Sequence, residues 1–262
     1  MIQEILMQLS GAVVLITGAA RGIGLALAHR FTREQPSAVV LSDVDAAALD
    51  ASAASFGAVP IPANVAAEAD VRSLISQIVG RFGRLDLICS NAGIFVGGGV
   101  ETPDGEWDRA WRVNTLSHLY MTRAYLPHVR RQGHGHLLVT VSAAGLLTAP
   151  GAAPYAVTKH AALGLAEWLA VSHRGEGLRV SALCPEFVRT QMVLDVQGPY
   201  RDWMVNSAIP PESVAEAVVR GLANEDFLIL PHPEVAEYFR RKAADYPRWL
   251  EGMRRLLDRV RR

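Results

Sequence analysis

The chain has 262 residues, 50% of them hydrophobic, and balances 26 Lys and Arg against 26 Asp and Glu. That length is long for an average domain but ordinary for a single α/β unit, and the apolar share is ample for a sheet covered on both faces. Zero net charge excludes a global pull toward nucleic acid or anionic membrane, and no apolar run approaches the roughly 20 residues that span a bilayer. Cys89 and Cys184 each close a short apolar run and read as reduced, buried strand residues rather than a disulfide framework or a metal pair. With acidic Glu4 and no cationic leader at the N-terminus, the expected location is cytoplasmic.

The first element is a short β-branched run, Ala12 to Ile16, read as a buried strand from its length and flanks. It runs directly into Thr17-Gly18-Ala19-Ala20-Arg21-Gly22-Ile23-Gly24 and then a helix-like stretch, Leu25 to Phe31. Strand, glycine-rich turn and helix in that order build a nucleotide site. Gly18 permits the tight turn, Gly22 lets the backbone approach a pyrophosphate, and Gly24 allows close helix–strand packing. The helix N-terminus then offers unpaired N–H groups to the phosphates. The next strand, Ala38 to Ser42, ends in Asp43, where a dinucleotide-binding unit carries its ribose-reading acid. A carboxylate there accepts bonds from ribose hydroxyls and repels a 2′-phosphate, which favours NAD over NADP. Arg21 is the counterweight, but no Arg or Lys follows Asp43 in its loop, so the acid decides.

An Ala-rich helix (Ala46 to Ser55) and a third strand (Ala58 to Ile61) lead to Asn64-Val65, and Glu68 to Phe82 has the apolar spacing of an amphipathic helix. The fourth strand, Leu85 to Cys89, opens into Asn91-Ala92-Gly93, small residues and an Asn suited to a loop passing close to a flat ligand. Gly97-Gly98-Gly99 reads as a flexible loop. Asp104 to Arg130 reads as one long helical region containing Asn114, a weak helix former. The fifth strand, His136 to Val141, ends at Ser142, and Pro154 suits the first turn of a helix running from Tyr155 to Val171. On that helix Tyr155 and Lys159 sit one turn apart on the same face, where a cation favours the phenolate and draws its pKa down from about 10. The helix is apolar almost all round, so one side should face the sheet and the other a second subunit.

A sixth strand, Arg179 to Leu183, ends in Cys184-Pro185-Glu186. Phe187 to Ile209 has no sustained period, mixes Tyr200 and Trp203 with polar residues, and reads as a long irregular lid. Phe95, Leu146, Leu147, Phe187, Met192, Trp203 and Met204 form the expected apolar pocket wall, which points to a bulky hydrophobic substrate. A helix (Glu212 to Ala223) and a seventh strand (Phe227 to Leu230) precede a helical, basic tail, Glu234 to Arg262. The tail reads as a solvated helix face, with Tyr246, Trp249 and Leu250 packing back on the protein or on a neighbouring subunit. Strands alternate with helices throughout. The fold class is therefore α/β: one Rossmann-like, doubly wound domain over residues 1–262 around a parallel sheet of about seven strands. Residues 186–210 would form its substrate lid and 232–262 a helical C-terminal extension.

Together, Thr17-Gly18-x-x-x-Gly22-x-Gly24, Asn91-Ala92-Gly93, Asn114, Ser142 and Tyr155-x-x-x-Lys159 resemble the short-chain dehydrogenase/reductase family in order and spacing, over roughly residues 9 to 231. The resemblance implies an NAD(P)-dependent oxidoreductase acting on CH–OH groups. In it Tyr155 is the general acid/base at the substrate oxygen and Ser142 orients that oxygen. Lys159 lowers the pKa of Tyr155 and holds the nicotinamide ribose, and Asn114 holds a water that links Lys159 to solvent. It further implies coenzyme contacts from Gly18, Arg21, Gly22, Ile23 and Gly24, from Asp43, Asn64 and Val65, and from Asn91, Ala92 and Gly93. Tyr155, Lys159, Pro185, Val188 and Thr190 complete that set, and no metal is implied. Two positions depart from the family's habit: Asn64 stands where Asp is common, and Glu186 follows Pro185 where Gly is common.

The expected partner is thus a small-molecule alcohol or ketone, with no nucleic acid and no membrane. A homodimer or homotetramer would form through the 104–130 and 155–171 helices. The competing reading is a catalytically silent nucleotide-binding regulatory protein of the same fold, which has no need of Ser142, Tyr155, Lys159 and Asn114 together. A sugar-nucleotide epimerase would also use Tyr and Lys, but needs a larger C-terminal substrate domain.

Overall fold

Seven short apolar runs, bounded by turn residues, become the strands of one parallel sheet in the computed structural model, which describes residues 8–197 and 201–260. They are β1 Val13–Thr17, β2 Ala38–Ser42, β3 Val59–Pro60, β4 Leu87–Ser90, β5 Gly135–Thr140, β6 Leu178–Leu183 and β7 Leu228–Ile229. The strand order is β3-β2-β1-β4-β5-β6-β7, with every pairing parallel. The chain winds outward from β1 in one direction through β2 and β3, then returns to β4 and winds the other way. The strand order therefore reverses between β1 and β4, and a crevice opens beyond their carboxyl ends. The expectations placed on Glu4, Tyr200, Arg261 and Arg262 lie outside the described residues.

Twelve α-helices connect the strands among the described residues: α1 Gly22–Thr32, α2 Ala46–Ala54, α3 Glu68–Phe82, α4 Asp104–Trp111, α5 Ser117–Gln132, α6 Ala143–Leu147, α7 Ala153–His173, α8 Gln191–Leu194, α9 Arg201–Asn206, α10 Pro211–Ala223, α11 Glu234–Ala244 and α12 Tyr246–Val260. Strand alternation sorts the core into two layers. Val13 and Leu15 of β1 join Leu74 and Ile78 of α3, Tyr125 of α5 and Leu169 of α7 on one face. Val14 and Ile16 join Leu27 and Phe31 of α1 and Val214 and Val218 of α10 on the other. Each of these fully buried side chains contributes about 1.5–3 kcal/mol, which is why near-continuous apolar runs specify this sheet.

One polar hub sits at the far end of the sheet from the crevice. Asp86 accepts a hydrogen bond from the Val13 N–H (2.8 Å) and is forked by the Arg84 guanidinium (2.7 and 2.8 Å). Gln132 and His134 approach it at 3.1 Å. Burial alone would raise this carboxyl; the Arg84 guanidinium, the Val13 N–H and His134 outweigh it and hold Asp86 below its ordinary value. The sign follows: a lowered folded pKa gives stability that is complete above the unfolded value near 3.9 and is lost as pH falls through the folded value. Asp86→Ala should therefore cost about 3 kcal/mol at neutral pH, measured by urea unfolding, and the cost should shrink in acid. Equal stability of the two proteins at neutral pH would contradict it.

Four stretches depart from the sequence expectation. Asp104 to Arg130 is not one continuous helix: a π-helical turn, Arg112–Leu116, separates α4 from α5. There the Asn114 side chain binds both backbone groups of Ile94 (2.9 Å each), and Thr115 Oγ1 donates to Thr158 O (3.0 Å), so the extra residue turns Asn114 inward. Gly98, read as part of a flexible loop, pairs opposite Ala152 in a parallel bridge, its N–H donating to Gly151 O and its carbonyl accepting from the Ala153 N–H (2.8 Å each). Phe187 to Ile209 contains α8 and α9 and is tied at its ends by Val188 pairing with Ile209. The tail is two helices, broken at Asp245, and of its three expected packing residues only Trp249 joins the core, while Tyr246 and Leu250 stay exposed.

Candidate active site

The glycine-rich turn is locked to the neighbouring strands by Thr17 and Asn91. Thr17 Oγ1 accepts from the N–H groups of Asn91 (3.0 Å) and Ala92 (3.1 Å). The Asn91 amide donates to Thr17 O (3.0 Å) and Gly18 O (3.3 Å) and accepts from Thr140 Oγ1 (3.1 Å). Three strand ends, β1, β4 and β5, are thereby held in one plane beneath the crevice. Asp43, at the end of β2, accepts from the Ala20 N–H (3.1 Å), which fixes the acid beside the turn. Arg21 pairs with Asp45, the residue that caps α2. Asn64 already accepts a bond from the Ala66 N–H (3.0 Å), leaving one lone pair of its amide oxygen for another donor.

A dinucleotide fits this cradle because the glycines cannot be anything larger. A Cβ on Gly24 would lie 2.3 Å from Gly18 O and 2.9 Å from Ala19 Cα; one on Gly18 (φ +63°) would lie 2.8 Å from Ala92 Cα. The turn is packed to the limit from below, and the space above it, at the N-terminus of α1, is open for phosphates.

The other half of the site is built from β5, α6 and α7. Ser142, just past β5, caps α6 by accepting the Ala144 N–H (3.1 Å) and donates to Pro185 O (3.4 Å), while its hydroxyl faces the Tyr155 phenol and draws the phenol's pKa down. Pro154 sits in the first turn of α7 and aims Tyr155 at Ser142, with Phe95 packed on the tyrosine ring at 5.2 Å between centroids. Lys159 is buried, donates to Thr140 O (2.9 Å), and lies 5.8 Å from the centre of the Tyr155 ring. Asn114 is fully buried one layer behind. Gly93 lies between them: a Cβ there would be 3.4 Å from Asn114 Oδ1 and 3.5 Å from Lys159 Nζ. Burial raises the Tyr155 phenol above its ordinary value, against the downward pull of Ser142. Burial also lowers the Lys159 ammonium to about 8.

Both halves open into one cavity of about 1710 Å³. That exceeds the usual 300–1,000 Å³ of a single-ligand pocket and leaves room for a dinucleotide and a second molecule. Gly18, Arg21, Gly22, Ile23, Asp43, Asn64, Val65, Asn91, Ala92 and Gly93 line it, as do Ser142, Tyr155, Lys159, Pro185, Val188 and Thr190; Thr190 meets Gly22, where a Cβ would lie 3.2 Å from its Cγ2. Of the expected site residues, Gly24 and Asn114 lie behind the wall instead. Of the expected apolar wall, Leu146 belongs to the core, while the other six line the cavity. Among the described residues no group of His, Cys, Asp and Glu is placed to hold a metal ion, and Cys89 and Cys184 are free and buried.

Two contributors were not anticipated from sequence. His232, after β7, accepts the Glu186 N–H on Nδ1 (3.1 Å) and donates from Nε2 to Phe187 O (3.2 Å), clamping the loop that follows β6. The C-terminal arm, expected to be a solvated face, instead walls the cavity mouth with Tyr238, Trp249, Met253 and Leu256. The buried Lys242 holds it there by donating to Leu146 O (2.7 Å). The periodic Trp249, Met253 and Leu256 are the signal in the sequence that could have revealed a packed α12.

The relatives agree with this geometry. The family model described as short chain dehydrogenase matches residues 12–199. The 1-deoxy-11-beta-hydroxypentalenate dehydrogenase of Streptomyces exfoliatus is 34% identical over 237 residues, covering 87% of this chain and 86% of its own. The meso-2,3-butanediol dehydrogenase of Serratia marcescens is 34% identical over 229 residues, covering 84% of this chain and 90% of its own. Among solved structures, a short chain dehydrogenase/reductase from Burkholderia phymatum in complex with NAD superposes with a TM-score of 0.85 at 28% identity, over 92% of this chain and 96% of that one. The seven-stranded parallel sheet, the glycine-rich turn at its switch point and these matches lead to one conclusion: the chain belongs to the short-chain dehydrogenase family and is an oxidoreductase.

Proposed function

We propose that the protein transfers a hydride between a nicotinamide coenzyme, NAD in preference to NADP, and a bulky hydrophobic secondary alcohol or its ketone, with Tyr155 as the general acid/base. The observation that carries this reading is the shared cavity: Tyr155 and Ser142 open into the same space as the glycine cradle and Asp43. When bound, the oxidised coenzyme supplies the hydride acceptor. Gly18, Gly22 and the α1 N-terminus would hold its phosphates, and Asp43 its ribose.

In the oxidative direction Ser142 holds the substrate oxygen and Tyr155 takes the hydroxyl proton; in reduction Tyr155 returns it. Burial keeps the phenol protonated in the free chain, so the phenolate forms only once positive charge gathers at the nicotinamide end of the cavity beside Lys159. The Lys159 ammonium favours the phenolate, and it can accept the proton Tyr155 sheds only by passing one of its own outward, which its lowered pKa of about 8 eases; the gap at Gly93 between Lys159 and Asn114 offers that proton its route. Phe95, Phe187, Met192 and Trp203 supply an apolar surround that excludes water, and the edge-on contact of Phe187 with Trp203 (4.8 Å) supports residues 186–210 as a substrate lid.

The test is a panel of secondary alcohols and ketones, from sec-butanol to cyclohexanol and larger, followed by the absorbance of the reduced coenzyme. NAD should be preferred. Asp43→Ala should lower kcat/KM for NAD by roughly tenfold and erase the preference, as expected for losing a charge-assisted hydrogen bond. A wild-type preference for NADP would contradict the role given to Asp43.

We further infer that the chain is a homodimer or homotetramer through the 104–130 and 155–171 helices. On α7, Val157, Trp168 and Val171 are 48%, 59% and 85% exposed, with Trp111 of α4 at 40%, an apolar face that a lone subunit leaves in water. Sedimentation should show an oligomer that Trp168→Glu with Val171→Asp dissociates; a monomeric wild type would contradict it.

A further inference from the structure

We propose that the outer part of the cavity binds an anionic group of the substrate, so that the substrate is an amphipathic hydroxy or oxo acid. Its carbinol or carbonyl lies at Tyr155 and its carboxylate or phosphate at Arg248 and Arg255. This rests on the reading that the cavity holds the substrate.

The arm formed by α11 and α12 lies beyond residues 12–199, the span of the family match. It is fixed rather than trailing, because Lys242 is buried against Leu146 O. The face that α12 turns to the cavity repeats at helical spacing. Trp249, Met253 and Leu256 supply an apolar strip, and Arg248 and Arg255, two turns apart, flank it. Between the two arginines lies Gly252, where a Cβ would meet nothing within 4 Å, so the strip has an open gap in it.

The charge around that gap is unbalanced. Arg240, Arg241, Arg248 and Arg255 line the mouth against Glu237 and Asp245. Glu237 is shared by Arg240 (2.7 Å) and Arg241 (2.6 Å). Asp245 spends one carboxylate oxygen on the Arg248 backbone N–H (3.0 Å), as the cap of α12. Arg255 has a distant partner in Glu251 (3.7 Å), and the Arg248 guanidinium makes no ion pair among the described residues. Arginine presents a planar fork suited to carboxylate and phosphate. A neutral hydrocarbon would use the Trp249 strip and leave both cations unmatched, and a cation would be repelled; an apolar body ending in an anion satisfies both. The coenzyme's own phosphates belong over Gly18 and Gly22, at the N-terminus of α1.

The experiment is a tryptophan-fluorescence titration of the NAD-loaded protein with dodecanoate, dodecyl phosphate and dodecanol, with Trp249 and Trp203 as reporters at the mouth. At least one of the two anions should bind roughly tenfold more tightly than the alcohol, an advantage that rising salt erodes. The tighter of the two identifies the headgroup. Arg248→Ala with Arg255→Ala should abolish the advantage, as should Gly252→Glu, while Arg248→Lys should keep most of it. Tyr155→Phe should bind the anion as the wild type does, so failure of the catalytic assignment would leave this result standing. Equal affinity for dodecanol and both anions, or an anion preference that survives the double substitution, would overturn the proposal. So would arginine-dependent binding of vesicles of phosphatidylcholine and phosphatidylglycerol without any preference for the soluble anions, which would make the arm a membrane-docking surface.

Discussion

Tyr155→Phe is expected to lower kcat/KM by about 10²–10⁴-fold while leaving coenzyme affinity nearly unchanged. The substitution removes a single oxygen. Phe keeps the ring that packs against Phe95 and the helix position set by Pro154, so the lid, the Lys159 bond to Thr140 and the glycine cradle stay as they are. What is lost is the hydroxyl that α7 presents to the cavity beside Ser142. Because the cradle is untouched, thermal stabilisation by NAD should match the wild type, which separates loss of chemistry from loss of binding. Wild-type turnover in this variant would remove the phenol from the mechanism.

Gly24→Val should act on the other half of the site. The new Cβ would meet Gly18 O at 2.3 Å, Ala19 Cα at 2.9 Å and the Asn91 amide nitrogen at 2.9 Å. Two of those atoms are backbone and the third is tied to Thr17 and Gly18, so nothing can move aside cheaply. A stability loss of about 1–3 kcal/mol is expected from overpacking, with the turn displaced and coenzyme affinity lowered by at least about tenfold. The readout is the melting temperature with and without NAD: the coenzyme-induced rise should vanish. Gly80→Ala, on the exposed face of α3 with nothing within 4 Å of the new methyl, is the control and should stabilise by up to about 1 kcal/mol. If Gly24→Val binds NAD normally, the tight turn is not what holds the phosphates.

The sheet was readable from sequence because its central strands, β1, β2, β4, β5 and β6, are buried almost throughout, so their residues form short, largely apolar runs. Asp43 and the Tyr155–Lys159 pair were readable for a related reason: their positions follow from a strand end and a helical turn, both local. Asn114 was harder. Its inward turn depends on a π-helical insertion held by Ile94 and Thr158, partners distant in sequence, and the local pattern shows only a polar residue in a helix. The acidity of Tyr155 shows the same limit. Adjacency to Lys159 suggests a lowered pKa, but the desolvation that raises the phenol in the free chain depends on everything packed around it. The basic excess of the C-terminal arm was plain in the sequence, but its place at the cavity was not, because the anchoring of Lys242 on Leu146 is a tertiary contact.

The central claim is that hydride leaves a carbinol carbon in this cavity while Tyr155 takes the proton. It is tested most directly by isotope transfer. A panel alcohol that turns over would be prepared with deuterium on its carbinol carbon and incubated with NAD and either wild type or Tyr155→Phe, and the reduced coenzyme examined by mass spectrometry. The wild type should yield deuterated reduced coenzyme, and Tyr155→Phe almost none over the same time. Reduced coenzyme without the label, or undiminished transfer of the label by Tyr155→Phe, would contradict it.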